Sequence, residues 1–180
     1  GVPAAHFEYQ NQTSQGLPTS SLPPPATSLN QGYMTFDSTT TGATTFQPGS
    51  TTTKVTLNLT DVQGDNIQGF MILIDGINTT TGGSKALMHI DYPPNLTTGF
   101  INFSVTAVQA YSNTGGTVAI NAATAAYFEL TVVFVTIGSA PTDLNDYTGP
   151  PGTVFDLSVD FILSGPQGPQ GATGAQGATG

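Results

Sequence analysis

The sequence predicts an all-β protein whose main part is an antiparallel, jelly-roll-like β-sandwich, followed by a segment with a strict three-residue period. Short apolar runs alternate with polar residues at a period of two, and clusters of Gly, Pro, Asn and Thr separate these runs. Glycine occupies every third position of residues 165–180. Counting the runs gives about eight strands, and an immunoglobulin-like sandwich stays open as the alternative topology.

Residues 1–31 are rich in Pro, Ser, Thr and Gln, with consecutive prolines at positions 23–25. This composition favours extended, polyproline-like or irregular backbone. We therefore expect an extended N-terminal arm that is either free in solution or lies on a neighbouring subunit. The apolar side chains that such a subunit contact would bury are Phe7, Tyr9, Leu17, Leu22 and Leu29.

The β-sandwich head is predicted to span residues 32–164, and its first strands are short. We expect strands at residues 33–36 and 53–60, the second of which alternates Val and Leu with Lys, Thr and Asn. Residues 69–77 read GFMILIDGI and are apolar on both faces. We interpret them as a strand covered on two sides in the centre of the sheet.

The remaining predicted strands lie at residues 85–91, 100–109, 117–121, 126–137 and 153–163. The last of them has the clearest alternation, because Phe, Leu and Val at odd positions face away from Asp and Ser at even positions. Turn-forming pieces such as TTTGG and SNTGG separate the strands.

Residues 165–180 read GPQGPQGATGAQGATG and form the stalk. Three polyproline-like chains can wind around one axis only if glycine occurs at each inward step. The run therefore predicts a collagen-like triple helix, and with it a homotrimer whose heads surround a three-fold axis. The predicted triple-helix glycines are Gly165, Gly168, Gly171, Gly174, Gly177 and Gly180.

This run is too short to associate without help, since it spans only about 50 Å at the rise of a polyproline helix. The head must therefore hold the three chains together, and Leu163 is expected to emerge near the three-fold axis. We also expect a longer stalk to follow.

The run resembles the collagen-like repeats of bacterial and viral fibre proteins, including those of phage and of spore surfaces. Its triplets GPQ, GAT and GAQ are rich in Thr and Gln, as those repeats are, and differ from animal collagen. The resemblance implies a structural subunit of a fibre, located outside the cell, on a cell or spore surface, or on a virion. It covers residues 165–180 only and carries nothing over to the head.

Charge and composition exclude several partners. Lys54 and Lys85 are the only basic residues, and the formal net charge is -9. Nucleic acid is therefore not expected as a partner, since phosphate neutralisation needs clustered Lys and Arg. No apolar run is long enough for membrane insertion, and the absence of Cys excludes disulfides and thiolate metal sites.

No catalytic motif is found, so the chain is not expected to be an enzyme or to bind a cofactor. His89 and Asp91 lie two residues apart on a predicted strand and share one face, where they can pair. Two Asx-rich loops, around Asp61 and around Asp143, offer oxygen ligands of the kind that calcium prefers, but turn formation is the simpler explanation and no metal site is predicted.

Asparagine sequons offer candidate glycosylation sites if the host glycosylates. A stalked adhesin, with a head that binds a glycan or a host receptor, is the alternative function. Exposed tyrosines near loops, Tyr92, Tyr111 or Tyr147, would then stack on sugars. The sequons are at Asn11, Asn58, Asn78, Asn95 and Asn102.

Overall fold

The computed structural model describes residues 4–12, 31–37, 49–79, 82–91, 99–138 and 154–164. The elements in this part of the chain are β1 (Ala4–Gln12), β2 (Met34–Phe36), β3 (Lys54–Asn58), α1 (Gln68–Asp75), β4 (Ala86–Asp91), β5 (Phe100–Ser112), β6 (Thr117–Val118), β7 (Ala125–Gly138) and β8 (Val154–Leu163). The predicted all-β class is confirmed, with one short helix added.

The strands form one continuous antiparallel sheet in the order β1-β8-β4-β5-β7-β3-β2, and β6 pairs with β5 beside this path. The sheet curls until its two edges meet, because Gln10 of β1 forms an isolated parallel bridge with Tyr33 next to β2. The Gln10 amide donates a 2.7 Å hydrogen bond to the Gly32 carbonyl. Part of the free edge of β1 is thereby satisfied within the chain rather than left open for aggregation.

A single hydrophobic core fills the inside of the curl. Alternate residues of β8 (Leu157, Val159, Phe161 and Leu163) are buried, as the sequence pattern predicts. The largest rings of the core come from different strands, so the core links distant parts of the sheet. These fully buried rings include Phe36, Phe103, Phe128 and Phe161.

Most predicted strands are confirmed with adjusted limits. The strand predicted at residues 100–109 runs on to Ser112, and the one predicted at 117–121 shortens to Thr117–Val118. The pairing of β5 with β7 contains register shifts, among them one between Val105 and Ala107. Such bulges bend a strand and increase its twist, which helps the sheet to curl.

The strand predicted at residues 69–77 is wrong, because most of this segment belongs to the helix α1, Gln68–Asp75. An apolar run of this length does not distinguish a strand from a helix, and here the helical period decides. Met71 and Ile74, three residues apart, are buried, whereas Ile72 and Leu73 are exposed. The ring of Phe70 packs on the core ring of Phe161 at 5.9 Å.

The predicted arm is also corrected, because residues 4–12 belong to the sheet of the head. All of β1 pairs with β8, from Ala4 opposite Ile162 to Gln12 opposite Val154. Phe7 and Tyr9 are therefore buried in the core of their own chain and are not free for a neighbouring subunit. The sequence gives only a weak strand pattern here, because β1 has few large inward side chains and polar residues surround them.

Several predicted features lie outside the described residues. They are the arm residues Leu17, Leu22 and Leu29, the tyrosines Tyr92 and Tyr147, the sequon at Asn95 and the glycines from Gly165 to Gly180.

Candidate functional site

A row of polar side chains crosses the outer face of the sheet over five strands. The register places His6 of β1 opposite Asp160 of β8, and Asp160 opposite His89 of β4. His89 lies in turn opposite Asn102 of β5, and Asn102 opposite Thr136 of β7. Each of these residues is an outward position of its strand, so the fold aligns groups that are far apart in the sequence.

His6 lies between two carboxylates at one end of this row. Its Nδ1 is 2.6 Å from Asp160 Oδ1, and its Nε2 is 2.6 Å from Glu8 Oε1. These hydrogen bonds, first the one with Asp160 and then the one with Glu8, raise the pKa of His6 above its ordinary value. The Ser158 hydroxyl donates to the two carboxylate oxygens of Glu8, at 3.1 and 3.0 Å.

His89 occupies the middle of the row. Its Nε2 is 3.1 Å from Asp91 Oδ1, which confirms the predicted pairing of these two residues. Its Nδ1 is 2.7 Å from Asn102 Oδ1, and the Asn102 amide nitrogen donates to Thr136 at 3.0 Å. The imidazole also packs on the Phe100 ring at 5.1 Å. The neighbours thus hold His89 from several sides.

A shallow cavity of about 580 Å³ lies over this part of the sheet, and we call it the outer hollow. Its volume is in the range of small-molecule sites. The side chains of the outer hollow used below are those of His6, Leu87, His89, Asn102, Asp160 and Ile162.

An apolar row runs beside the polar row, closer to the end of β8. It joins Ala4, Ile162, Leu87, Ser104 and Val133 across the same five strands. Ile162 is 46% exposed and Val133 is 56% exposed. Leu87 and Ser104 lie between them and are half-buried, so the exposed apolar surface of this row is at Ile162 and at Val133.

The end of β8 is tied to the loop that precedes β4. The Ser164 amide donates a 3.0 Å hydrogen bond to the Lys85 carbonyl. The Lys85 ammonium donates to the carbonyls of Asp75 and Ile77 at 3.0 and 2.6 Å, at the end of α1. The point where the chain leaves the sheet is therefore fixed by both β4 and the helix. We call the outer face over β1, β8 and β4 the exit half.

We call the outer face around Tyr33, Tyr111 and Tyr127 the tyrosine half. It differs from the exit half in that its outward side chains are largely buried. Tyr111 and Tyr127 stack with ring centroids 5.4 Å apart and are only 8% and 1% exposed. Tyr111 is therefore not the exposed sugar-stacking platform that the sequence suggested. Burial, and then the charges of Tyr111 and Glu129, raise the pKa of Tyr127 to about 12.

Glu129 is a buried carboxylate in the tyrosine half. It lies 3.5 Å from the ammonium of Lys54 and also hydrogen-bonds the Tyr111 side chain. Lys54 donates to the Thr131 hydroxyl at 2.8 Å. The charge is thus paired and hydrogen-bonded, as a buried carboxylate requires.

Asp61, considered above as a calcium ligand, is fully buried and accepts backbone hydrogen bonds. Its carboxylate accepts from the amides of Glu8, Gln63 and Asp65 at 3.1, 2.9 and 2.8 Å. Its oxygens therefore stabilise a turn and fasten β1 to it. In the described ranges, no three His, Asp or Glu side chains are grouped so that they could hold a metal ion.

The described sequons differ in accessibility. Asn78 is exposed just after α1. Asn58 accepts hydrogen bonds from Thr60, and Asn102 is part of the polar row. A glycan at Asn102 would be attached to the nitrogen that donates to Thr136, whereas the Asn78 side chain is exposed. Asn11 lies in β1, and its side chain is outside the described set.

No helix in the described ranges combines the length and the apolar character needed to cross a lipid bilayer. Comparison of the chain with models of known protein families, with curated proteins and with solved structures gives no match, so the outer face is interpreted from its own residues.

Proposed function

We propose that the protein is a structural subunit of an extracellular or particle-surface fibre, in which a trimeric β head anchors a collagen-like stalk. The observation that carries this proposal is the unbroken glycine period of residues 165–180, which begins directly after Ser164. A flexible linker does not require glycine at every third position. A triple helix requires it, because any side chain there would clash at the axis.

The anchored exit from the sheet supports this proposal. A short triple helix needs its chains to be brought together in register, and a flexible connection would scatter their starting points. The Ser164 amide is bonded to the Lys85 carbonyl in the loop before β4, so the residue that precedes the glycine period is held in place. We also keep the jelly-roll-like plan as a proposal for the head, and its support is limited to the antiparallel strands and the single enclosed core.

Higher assembly through the N-terminal region remains part of the proposal, in a reduced form. Because Phe7 and Tyr9 are in the core of their own chain, residues 13–30 are left to contact a neighbour. We propose a location outside the cell, on a cell or spore surface or on a virion. We propose no catalytic activity, since the histidines and carboxylates of the polar row are hydrogen-bonded to one another.

The decisive experiment compares the intact protein with two stalk variants. We expect sedimentation to give a trimer and circular dichroism to show a triple-helical signal that melts cooperatively. Gly171→Ala should abolish that signal, because it places a methyl group at the axis. Thr173→Ala, in the same triplet, should keep it. A monomeric wild-type protein without the triple-helical signal would overturn the proposal.

A stalked adhesin is the second candidate function. The observation that favours it is the outer hollow, whose volume of about 580 Å³ and mixture of apolar and hydrogen-bonding groups suit a small saccharide. A glycan array probed with the intact protein tests this candidate. Binding that is lost in Asn102→Ala and kept in Asn78→Ala would support it, since only the first residue lines the hollow.

A further inference from the structure

We propose that the three heads contact one another through the exit half, with Ile162 and Leu87 of the apolar row at the centre of the contact and a second copy of the chain as its occupant. This inference rests on the proposed function, because it takes the trimer from the stalk. It goes beyond it by assigning the surface of the head that faces the three-fold axis.

The first step concerns where the chains must meet. Three chains that enter one triple helix begin close to a common axis. Ser164 is bonded to Lys85 and is the last described residue before the glycine period. The three Ser164 residues are therefore near the axis, and the part of the head around Ser164 lies close to its symmetry mates.

The second step identifies what the head presents there. Ile162 is two residues before Ser164, so it lies about 7 Å from it along the strand. The alternation of β8 buries Leu163 and turns Ile162 outward, where it is 46% exposed. Leu87 is paired with Ile162 on the neighbouring strand. The outward apolar side chains of the exit half are therefore beside the axis.

The third step concerns charge. Burying an unpaired charge in a subunit contact is costly. Within the exit half, His6 is bonded to both Asp160 and Glu8, and His89 is bonded to Asp91. These acids have hydrogen-bond partners within the head, but the single His6 imidazole cannot neutralise both Asp160 and Glu8. We therefore centre the contact on Ile162 and Leu87 and keep these carboxylates at its solvated edge.

The outer hollow completes the surface. It is a depression in the same face, bounded by Ile162 and Leu87. In a contact around a three-fold axis, each surface meets a different surface of the next copy, so the hollow offers room for side chains of the neighbouring head. Stable contacts between proteins bury about 800 Å² per partner.

Cross-linking through introduced cysteines tests the assignment, because the chain contains no Cys. Ile162→Cys is compared with Val62→Cys, a matched control that is also 46% exposed. Val62 lies beside the middle of β1, where its amide donates to the Glu8 carbonyl. Glu8 is four residues, or about 13 Å, along β1 from Ala4, the partner of Ile162. With a short bismaleimide, Ile162→Cys should give covalent dimers of up to about two thirds of the chains of a trimer, and Val62→Cys only background.

A second measurement uses charge. Ile162→Asp should weaken trimer association at least tenfold in sedimentation and lower the melting temperature of the triple-helical signal, because three carboxylates would meet near the axis. Val62→Asp should change neither. Far-UV circular dichroism checks that both variants keep the β head, and the cross-linking experiment needs no destabilising change.

The outcomes separate the two proposals. A monomeric wild-type protein would overturn the fibre proposal together with this inference. A trimeric wild-type protein that is cross-linked equally at both positions, or not at all, and that tolerates Ile162→Asp would overturn the surface assignment alone. An intact Ile162→Asp trimer that has lost glycan binding would also overturn it and assign the outer hollow to a ligand.

Discussion

The exit half and the tyrosine half occupy the same side of one sheet, yet they differ in exposure. In the exit half, outward residues such as His6 and Ile162 are open to solvent. In the tyrosine half, Tyr127 and Glu129 occupy equivalent outward positions of β7 and are buried. The comparison shows that a side chain at an outward position of a strand is not necessarily exposed to solvent. Within the exit half, Ile162 is the large apolar side chain that stays exposed, at 46%.

The largest expected effect tests whether the tyrosine half is a second core. Tyr127→Ala should lower the free energy of unfolding by about 3 to 5 kcal/mol, because it removes a buried ring and its stacking partner. Thr136→Ala, at an outward position of the same strand that is exposed, should lower the free energy of unfolding by about 0.5 kcal/mol or less. Urea unfolding at a fixed protein concentration measures both. Equal losses in the two variants would contradict the comparison.

Alkaline pH should also act on the tyrosine half. The pKa of Tyr127 is raised from 10.0 to about 12 in the folded protein, so the unfolded chain releases its proton first. Stability is therefore present below pH 10 and falls as the pH rises from about 10 to about 12, by about 2 to 3 kcal/mol.

Tyr127→Phe provides the control for this titration. The variant keeps the ring but has no proton to lose, so its unfolding midpoint should depend less on pH than that of the wild-type protein in this range. Parallel pH profiles for both proteins would show that Tyr127 is not the group responsible.

Glu129→Ala should cost about 1 to 2 kcal/mol, because the Tyr111 side chain and Lys54 lose a buried acceptor. Lys54→Met should cost less, about 1 kcal/mol or below, since the Lys54 side chain is 40% exposed and water screens its charge. Thermal unfolding of both variants gives the order. A larger loss for Lys54→Met would mean that the ion pair, and not the hydrogen bond, stabilises this half.

Much of the fold could be predicted from the sequence, because the strands obey a simple period. In β4 and β8 the inward side chains are apolar and the outward ones are polar, with Leu87 and Ile162 as the exceptions. The helix α1 escaped prediction, since a run such as GFMILIDGI satisfies both periods and only packing against Phe7 and Phe161 selects the helix.

The candidate site was harder to predict, because it depends on register. The pairing of His89 with Asp91 follows from two positions on one strand. The approach of His6 to Asp160 does not, since the two residues are 154 positions apart and meet only when β1 pairs with β8. A strand order that joins the first strand to the last one leaves no local signal in the sequence.

The smallest expected effect belongs to the exit half and concerns His6. Its pKa is raised by Asp160 and Glu8, so its stabilising contribution is fully present below the unfolded value of 6.5 and is lost as the pH rises through the folded pKa. The imidazole is 52% exposed, and exposed ion pairs contribute little, so we expect about 0.5 kcal/mol or less.

His6→Gln isolates this effect. Urea midpoints measured below pH 6.5 and well above it should differ slightly in the wild-type protein, in the direction of lower stability at high pH, and should differ less in the variant. An opposite sign would show that His6 is not held by the two carboxylates. A much larger effect in the trimer than in the dissociated head would mean that assembly removes water from His6, as expected if the exit half faces the three-fold axis.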